Sequence, residues 1–256
     1  PAEIFGAVRQ EAGESPGSRS EEGLIQEAAA GVLFTPMAAR HAPDVLADLL
    51  AAIPALTGFP ATAIHRTRFQ RYLDLFVKWN RVHRMTALES PAEIVRGLFL
   101  DSLLFLRLLP ARPISLVDIG AGSGIPGLPL RLVDDRITLT LVESKRKRIS
   151  FLLAVCRELA LPDVRVLEGR AEDLIEQDPG LAEGFDAVVT RAVGGEASIS
   201  AIGADYARPG GTILIAGSPR SAANHGFEVL QIEAPGGRAS RVFFRRMKES
   251  TVPRGT

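Results

Sequence analysis

Ten consecutive residues carry the strongest chemical signal in this 256-residue chain: Asp118-Ile119-Gly120-Ala121-Gly122-Ser123-Gly124-Ile125-Pro126-Gly127. Glycines here allow positive φ and close approach of the backbone to a ligand, and a helix starting after them offers free N–H groups. Loops of this kind hold nucleotide-like ligands. The NTPase phosphate loop needs Gly-Lys-Ser/Thr, and no lysine follows Gly124 or Gly127. The dinucleotide fingerprint needs Gly-x-Gly-x-x-Gly, but the third position falls on Ile125 and the spacing is Gly-x-Gly-x-Gly. With Asp118 two positions before Gly120, that spacing fits S-adenosylmethionine better.

Further candidates follow at strand ends. Glu143 lies nineteen residues after Gly124, where a carboxylate can accept hydrogen bonds from both hydroxyls of a ribose. Gly169-Arg170-Ala171-Glu172-Asp173 is expected to line an adenine edge. Arg191 of TRAV stands at the carboxyl end of a buried strand, where ligands sit in open parallel sheets. No metal site is expected, because the four histidines are scattered and Cys156 is the one cysteine. A lone cysteine makes no intrachain disulfide, which points to a reducing cytoplasm.

The elements that must position these residues have a clear rhythm. From Ile114 onward, short apolar runs alternate with helical segments: ISLVDIG, LTLVES, VRVLEG, FDAVVTRAV and PGGTILIAG read as strands, and KRKRISFLLAVCRELAL as an amphipathic helix. Such alternation predicts an α/β fold with a mainly parallel, doubly wound sheet. RVFFRRMK reads as a sixth or seventh strand, antiparallel at the sheet edge. Residues 61–110 read as a helical N-terminal part, with Phe69, Leu73, Phe76 and Val77 at helical spacing. Ser90, Pro91 and Glu93 form a helix start there. Residues 1–60 are expected to form a partly disordered extension with an apolar helical pattern near Val45–Leu56, 111–249 the sheet domain, and 250–256 a tail.

Lys plus Arg and Asp plus Glu number 30 each, so the net charge is zero, and 46% of residues are hydrophobic. That composition excludes wholesale disorder. No apolar run approaches the roughly 18 residues of a membrane span, so no membrane partner is expected. The start is polar and acidic, unlike a signal peptide, and opens on Pro1. The neutral sum hides blocks of charge. Residues 66–84 hold Arg66, Arg68, Arg71, Lys78, Arg81 and Arg84 against Asp74, with Tyr72, Phe76 and Trp79 interleaved. Lys145–Arg148 form a second block, and Arg241, Arg245, Arg246 and Lys248 a third. Phosphate contacts and base stacking use these residue types, although the aromatics equally fit a buried helical stripe.

WNRVHRMTA, FLDSL, DIGAGSGIPGLPL, LVESKRKRISFL, GRAED and TRAV occur in this order. Over roughly residues 62–248 the chain thereby resembles the bacterial small-subunit (16S) ribosomal RNA guanine-N7 methyltransferases, the glucose-inhibited division protein B type. The resemblance implies a Rossmann-like methyltransferase fold behind a helical part, S-adenosylmethionine as cofactor, and small-subunit ribosomal RNA or a ribosomal particle as partner of a cytoplasmic monomer. Carried over by position, it puts Gly120 and Ile125 at the cofactor and Ala171 and Glu172 at its adenine. Arg191 falls near the methionine end or the target base, as the candidate catalytic residue. With Asp118, Gly122, Gly124 and Glu143 these make up the expected site. The chain departs from the family at Leu98, where histidine is usual, at Arg84-Met85 for Asn-Leu, and at Ala216 for lysine. These departures fall on the RNA side. A non-catalytic relative that binds cofactor or RNA, and a small-molecule methyltransferase, are the alternatives.

Overall fold

A computed structural model describes residues 44–191, 196–217, 226–235 and 238–249. Two helices open the described chain, α1 (Ala47–Thr57) and α2 (Ala63–His83). Thr62 and His65 make a reciprocal capping box at the start of α2, satisfying two backbone donors that the first turn leaves free. A broken helix follows. Its parts are α3 (Pro91–Ile94), a π-helical stretch (Val95–Leu100), α4 (Asp101–Leu103) and a 3-10 turn (Leu104–Arg107). The expected Ser90 cap and Pro91 start are present, but the regular helix foreseen beyond them widens into a π turn.

The sheet contains β1 (Ile114–Ile119), β2 (Ile137–Glu143), β3 (Arg165–Glu168), β4 (Phe185–Arg191), β5 (Ala207–Gly217), β6 (Glu228–Ala234) and β7 (Arg238–Met247). Their order is β3-β2-β1-β4-β5-β7-β6. β3, β2, β1, β4 and β5 pair in parallel, and β7 pairs antiparallel with both β5 and β6. The closing strand is therefore antiparallel as expected but lies inside the sheet. The edge belongs to β6.

Helices α5 (Gly127–Val133), α6 (Arg146–Glu158), α7 (Ala171–Gln177) and α8 (Glu196–Tyr206) follow β1, β2, β3 and β4. Alternation along the strands feeds two cores. Leu116, Ala187 and Val189 pack with α1, α2, α5 and α6 on one face. Val117, Ile119 and Val188 pack with Tyr206 and Ile202 on the other. Strands buried on both faces explain the nearly continuous apolar runs in the sequence.

The apolar pattern at Val45–Leu56 corresponds to α1, whose Leu49, Ala52, Ile53 and Leu56 are buried. The rest of the expected extension, residues 1–43, and the tail 250–256 lie outside the described residues. Among the described residues, no helix is long and apolar enough to cross a membrane, and no cluster of His, Cys, Asp or Glu is built to hold a metal.

Candidate active site

Parallel pairing brings the carboxyl ends of β1, β2, β3 and β4 to one edge. Ile119 pairs with Val142, Glu143 with Glu168, and Asp118 with Val189, two residues before Arg191. The glycine-rich loop, the Glu143 carboxylate, the start of α7 and Arg191 therefore converge there.

Backbone conformation explains the glycines. Gly120, Gly122 and Gly124 have φ of 70°, 59° and 81°, the left-handed region that costs other residues energy. The N–H groups of Gly120 and Ala121 both donate to the Val142 carbonyl at 2.9 Å, tying the loop to β2. At Gly124 space is short as well: a Cβ would fall 2.2 Å from Leu128 Cδ1 and 3.0 Å from Tyr72 Oη.

Glu143 is 4% exposed and accepts three backbone hydrogen bonds of 2.9 Å. Gly122 N–H donates to Oε2, and the N–H groups of Ser144 and Lys145 donate to Oε1. Arg148 Nη1 approaches Oε2 at 3.5 Å. Glu143 thus anchors the glycine loop to the end of β2.

Asp118 plays a different part from the one expected. It is fully buried, and its Oδ2 accepts the Gly127 N–H at 2.8 Å, so the side chain fixes the start of α5 from beneath the loop. Oδ1 has no partner. Burial raises the carboxyl to about 7, and the Glu143 charge adds to this against the Gly127 hydrogen bond.

Ile125 is 7% exposed and packs in the core below the loop. Ala171 opens α7, and its carbonyl accepts the Tyr206 hydroxyl at 2.9 Å. Glu172, beside it, is half-exposed and lies 3.8 Å from Arg170. The end of β3 meets β2 where Gly169 N–H donates to the Glu143 carbonyl at 3.0 Å.

Arg191 reaches across to the helical part. Its Nη2 donates to the Gly97 carbonyl in the π-helical stretch at 2.8 Å. Burial lowers its pKa but leaves a guanidinium charged at neutral pH. Gly97 also packs against the turn after α2, where a Cβ would lie 3.2 Å from Leu88 Cδ1. Asn80 shapes that turn: its side chain donates to the Leu88 carbonyl at 3.0 Å and accepts the Thr86 N–H at 2.9 Å.

The aromatics of α2 are core. Tyr72 and Phe76 are fully buried, and Trp79 lies edge-on to Phe151 of α6 with centroids 5.6 Å apart. The basic blocks separate into two kinds. In α2, Arg66 pairs with Asp44 and Arg68 with Asp135, while Arg71, Lys78 and Arg81 are exposed and make no ion pair among the described residues. Lys145 and Lys147 are likewise exposed. The third block is tied into the protein, Arg241 to Asp101, Arg245 to Glu228 and Lys248 to Glu183.

Sequence reasoning did not foresee Tyr72 as a loop contact, Arg148 beside Glu143, or Asp101 as a partner of arginines. FLDSL flagged Asp101 without a role; the other two had no local signal.

The chain matches the family described as rRNA small subunit methyltransferase G over residues 65–231. It is similar to the ribosomal RNA small subunit methyltransferase G of Xanthomonas axonopodis pv. citri, 36% identical over 173 residues, 68% of this chain and 77% of that protein. The Streptococcus pneumoniae R6 protein of the same name is 34% identical over 174 residues, 67% of this chain and 71% of that protein.

Proposed function

The chain belongs to the rRNA small subunit methyltransferase G family, and on that premise we propose that it methylates N7 of a guanine in small-subunit ribosomal RNA, as a cytoplasmic monomer using S-adenosylmethionine. The observation that carries this reading is the meeting of three left-handed glycines with the Glu143 carboxylate at one sheet edge. That cradle suits a ligand with a ribose diol and a charged amino-acid end. The cofactor supplies an electrophilic methyl group on its sulfonium.

The residues divide the work. Backbone groups of Gly120, Gly122 and Gly124 approach the cofactor closely, with Ile125 packed beneath them. Glu143 accepts the ribose hydroxyls, Ala171 and Glu172 flank the adenine, and Arg191 borders the cofactor and the target base. Asp118 acts through the loop by holding Gly127. Guanine N7 has an in-plane lone pair and no proton, so alignment is what the chain must provide and a general base is unnecessary. Cys156 fits that chemistry as a spectator: it is buried and its thiol is pushed up to about 11, far from a nucleophilic thiolate at neutral pH.

The exposed cations of α2 and α6 form the RNA face. The two helices pack together, with Tyr72, Phe76 and Trp79 of α2 all against Phe151 of α6. Lys78 and Arg81 on α2 and Lys145 and Lys147 at the start of α6 are exposed. Cations so placed can hold an RNA backbone while one base enters the site.

Nucleoside analysis of ribosomal RNA tests the reading in cells. A strain lacking this protein should lose one 7-methylguanosine from its small-subunit RNA and regain it when the protein is restored. Unchanged methylation rejects the assignment.

A further inference from the structure

Two guanidiniums pair with one carboxylate at the same sheet edge, displaced from the glycine loop, and a third lies within their electrostatic reach. Asp101, 7% exposed, stands where the π-helical stretch returns to α4. Its Oδ2 accepts Arg241 Nε at 2.8 Å, and Arg238 Nη2 lies 3.4 Å from Oδ1. Arg191 lies within electrostatic reach of both Asp101 and Arg241. Topology brings them together: Ala216 of β5 pairs with Arg191 on one side and Phe243 on the other, so β7 begins at the edge where β4 and β5 end.

One carboxylate against three guanidiniums leaves two positive charges, and their donors are unequally used. Arg238 gives Nε and Nη1 to the carbonyls of Pro235 and Arg96, and its buried Nη2 faces Asp101 Oδ1 at 3.4 Å without a hydrogen bond. Arg241 spends Nε on Asp101 and Nη1 on the Ala239 carbonyl, which leaves Nη2 without a partner among the described residues. Among the described residues, Arg191 makes one side-chain hydrogen bond, to Gly97, out of the five donors a guanidinium carries. Part-buried cations with spare donors suit an acceptor that the protein itself does not supply.

We propose that Arg241 and Arg191, with Arg241 aimed by Asp101, bind a backbone phosphate of the RNA next to the nucleotide being methylated. This rests on the ribosomal RNA methyltransferase reading and assigns a substrate subsite within it. Two other occupants fit less well. Methylation builds positive charge on the guanine ring, so the donor Arg241 has to spare suits an anionic phosphate better than the base. The glycine loop at the end of β1 stands three strand spacings from β7, about 14 Å, so Arg241 does not reach the cofactor cradle.

The test is binding of unmodified small-subunit ribosomal RNA between 50 and 200 mM salt, with cofactor binding measured in parallel. Arg241→Gln should reduce the slope of log affinity against log salt by about one, so that its affinity loss across this range is about fourfold smaller than for the wild type. Arg241→Lys should keep the slope. Arg238→Gln should keep it too, since that guanidinium is largely buried against Asp101 and the Pro235 and Arg96 carbonyls. Cofactor affinity should be unchanged in all three. With the wild-type protein alone, ethylating the phosphates that flank the target guanine should block binding. An unchanged slope in Arg241→Gln, an equal fall in Arg238→Gln, or indifference to flanking ethylation would overturn the subsite. A wild-type protein that methylates no ribosomal RNA would instead overturn the reading on which the subsite rests.

Discussion

The hydroxyl of Tyr72, at the middle of α2, donates to the carbonyl of Ser123 in the glycine loop. The phenol is fully buried and stacked on Phe99 with centroids 4.6 Å apart. Burial raises its pKa well above 10, so it remains a donor throughout the working pH range. Left-handed glycines cannot hold a loop by side-chain packing, and this loop is held from outside by Val142, Glu143 and Tyr72. The helix that carries the exposed cations thereby also pins the glycine loop.

Tyr72→Phe removes one oxygen and leaves the Ser123 carbonyl without its donor. The loss is about 1 kcal/mol, which predicts a cofactor dissociation constant about fivefold higher and unchanged turnover at saturating cofactor. Calorimetric titration with S-adenosylmethionine and steady-state kinetics measure the two. Unaltered cofactor affinity would reduce the phenol to a core residue.

Glu143→Gln replaces one acceptor oxygen with an NH2 that must face backbone N–H groups now satisfied by the carboxylate. Hydrogen bonds to a charged group are worth about 1.5–3 kcal/mol, so cofactor affinity should fall about 10- to 100-fold. Equilibrium binding of labelled cofactor reads this directly. Wild-type affinity in the variant would remove Glu143 from the site.

Gly124→Ala puts a side chain at φ 81° and 2.2 Å from Leu128 Cδ1. Strain of this kind costs about 1–3 kcal/mol, and Leu128 and Tyr72 must shift to make room. A lower melting temperature together with weakened cofactor binding is expected. A variant that melts and binds like the wild type would show that the loop geometry is not required.

Asp118 predicts a pH dependence of stability. Its carboxyl is raised in the folded chain to about 7, against about 3.9 in an unfolded one. Below the lower value both states hold the proton. Between the two, the folded chain retains a proton that the unfolded chain releases, so stability falls as pH rises, by at most about 1.4 kcal/mol per unit. Above about pH 7 this contribution levels off. Asp118→Asn keeps an acceptor for Gly127 and abolishes the titration. Denaturant unfolding from pH 5 to 8 should therefore show the gap between variant and wild type widening with pH; a constant gap contradicts the assignment.

Much of this architecture was legible because parallel strands buried on both faces appear as apolar runs between helical segments, and because four glycines in eight residues have few other uses. What was missed has physical causes. β6 alternates between exposed and half-buried positions along most of EVLQIEA, too weak a pattern to read as a core strand. Asp118 reads as a ligand because an acid ending a strand gives no sign of which face it takes; with Val117 and Ile119 on one face, it points with Leu116 beneath the loop. Tyr72 and Ser123 are 51 positions apart, so only the fold could join them. The third basic block is indistinguishable in sequence from the first two, yet Asp101, Glu228 and Glu183 neutralise much of it.

Arg191 is predicted to matter for transfer and little for glycine-loop geometry, since its side chain donates to Gly97 and not to the loop among the described residues. Arg191→Ala should lower transfer to RNA while the glycine loop still binds S-adenosylmethionine. Full transfer activity in the variant would take Arg191 out of the site.

Purified protein incubated with methyl-labelled S-adenosylmethionine and unmodified small-subunit ribosomal RNA, free or within its particle, tests the central claim most directly. Digestion to nucleosides should place the label in 7-methylguanosine. Label in any other nucleoside, or none with either form of the RNA, would contradict it.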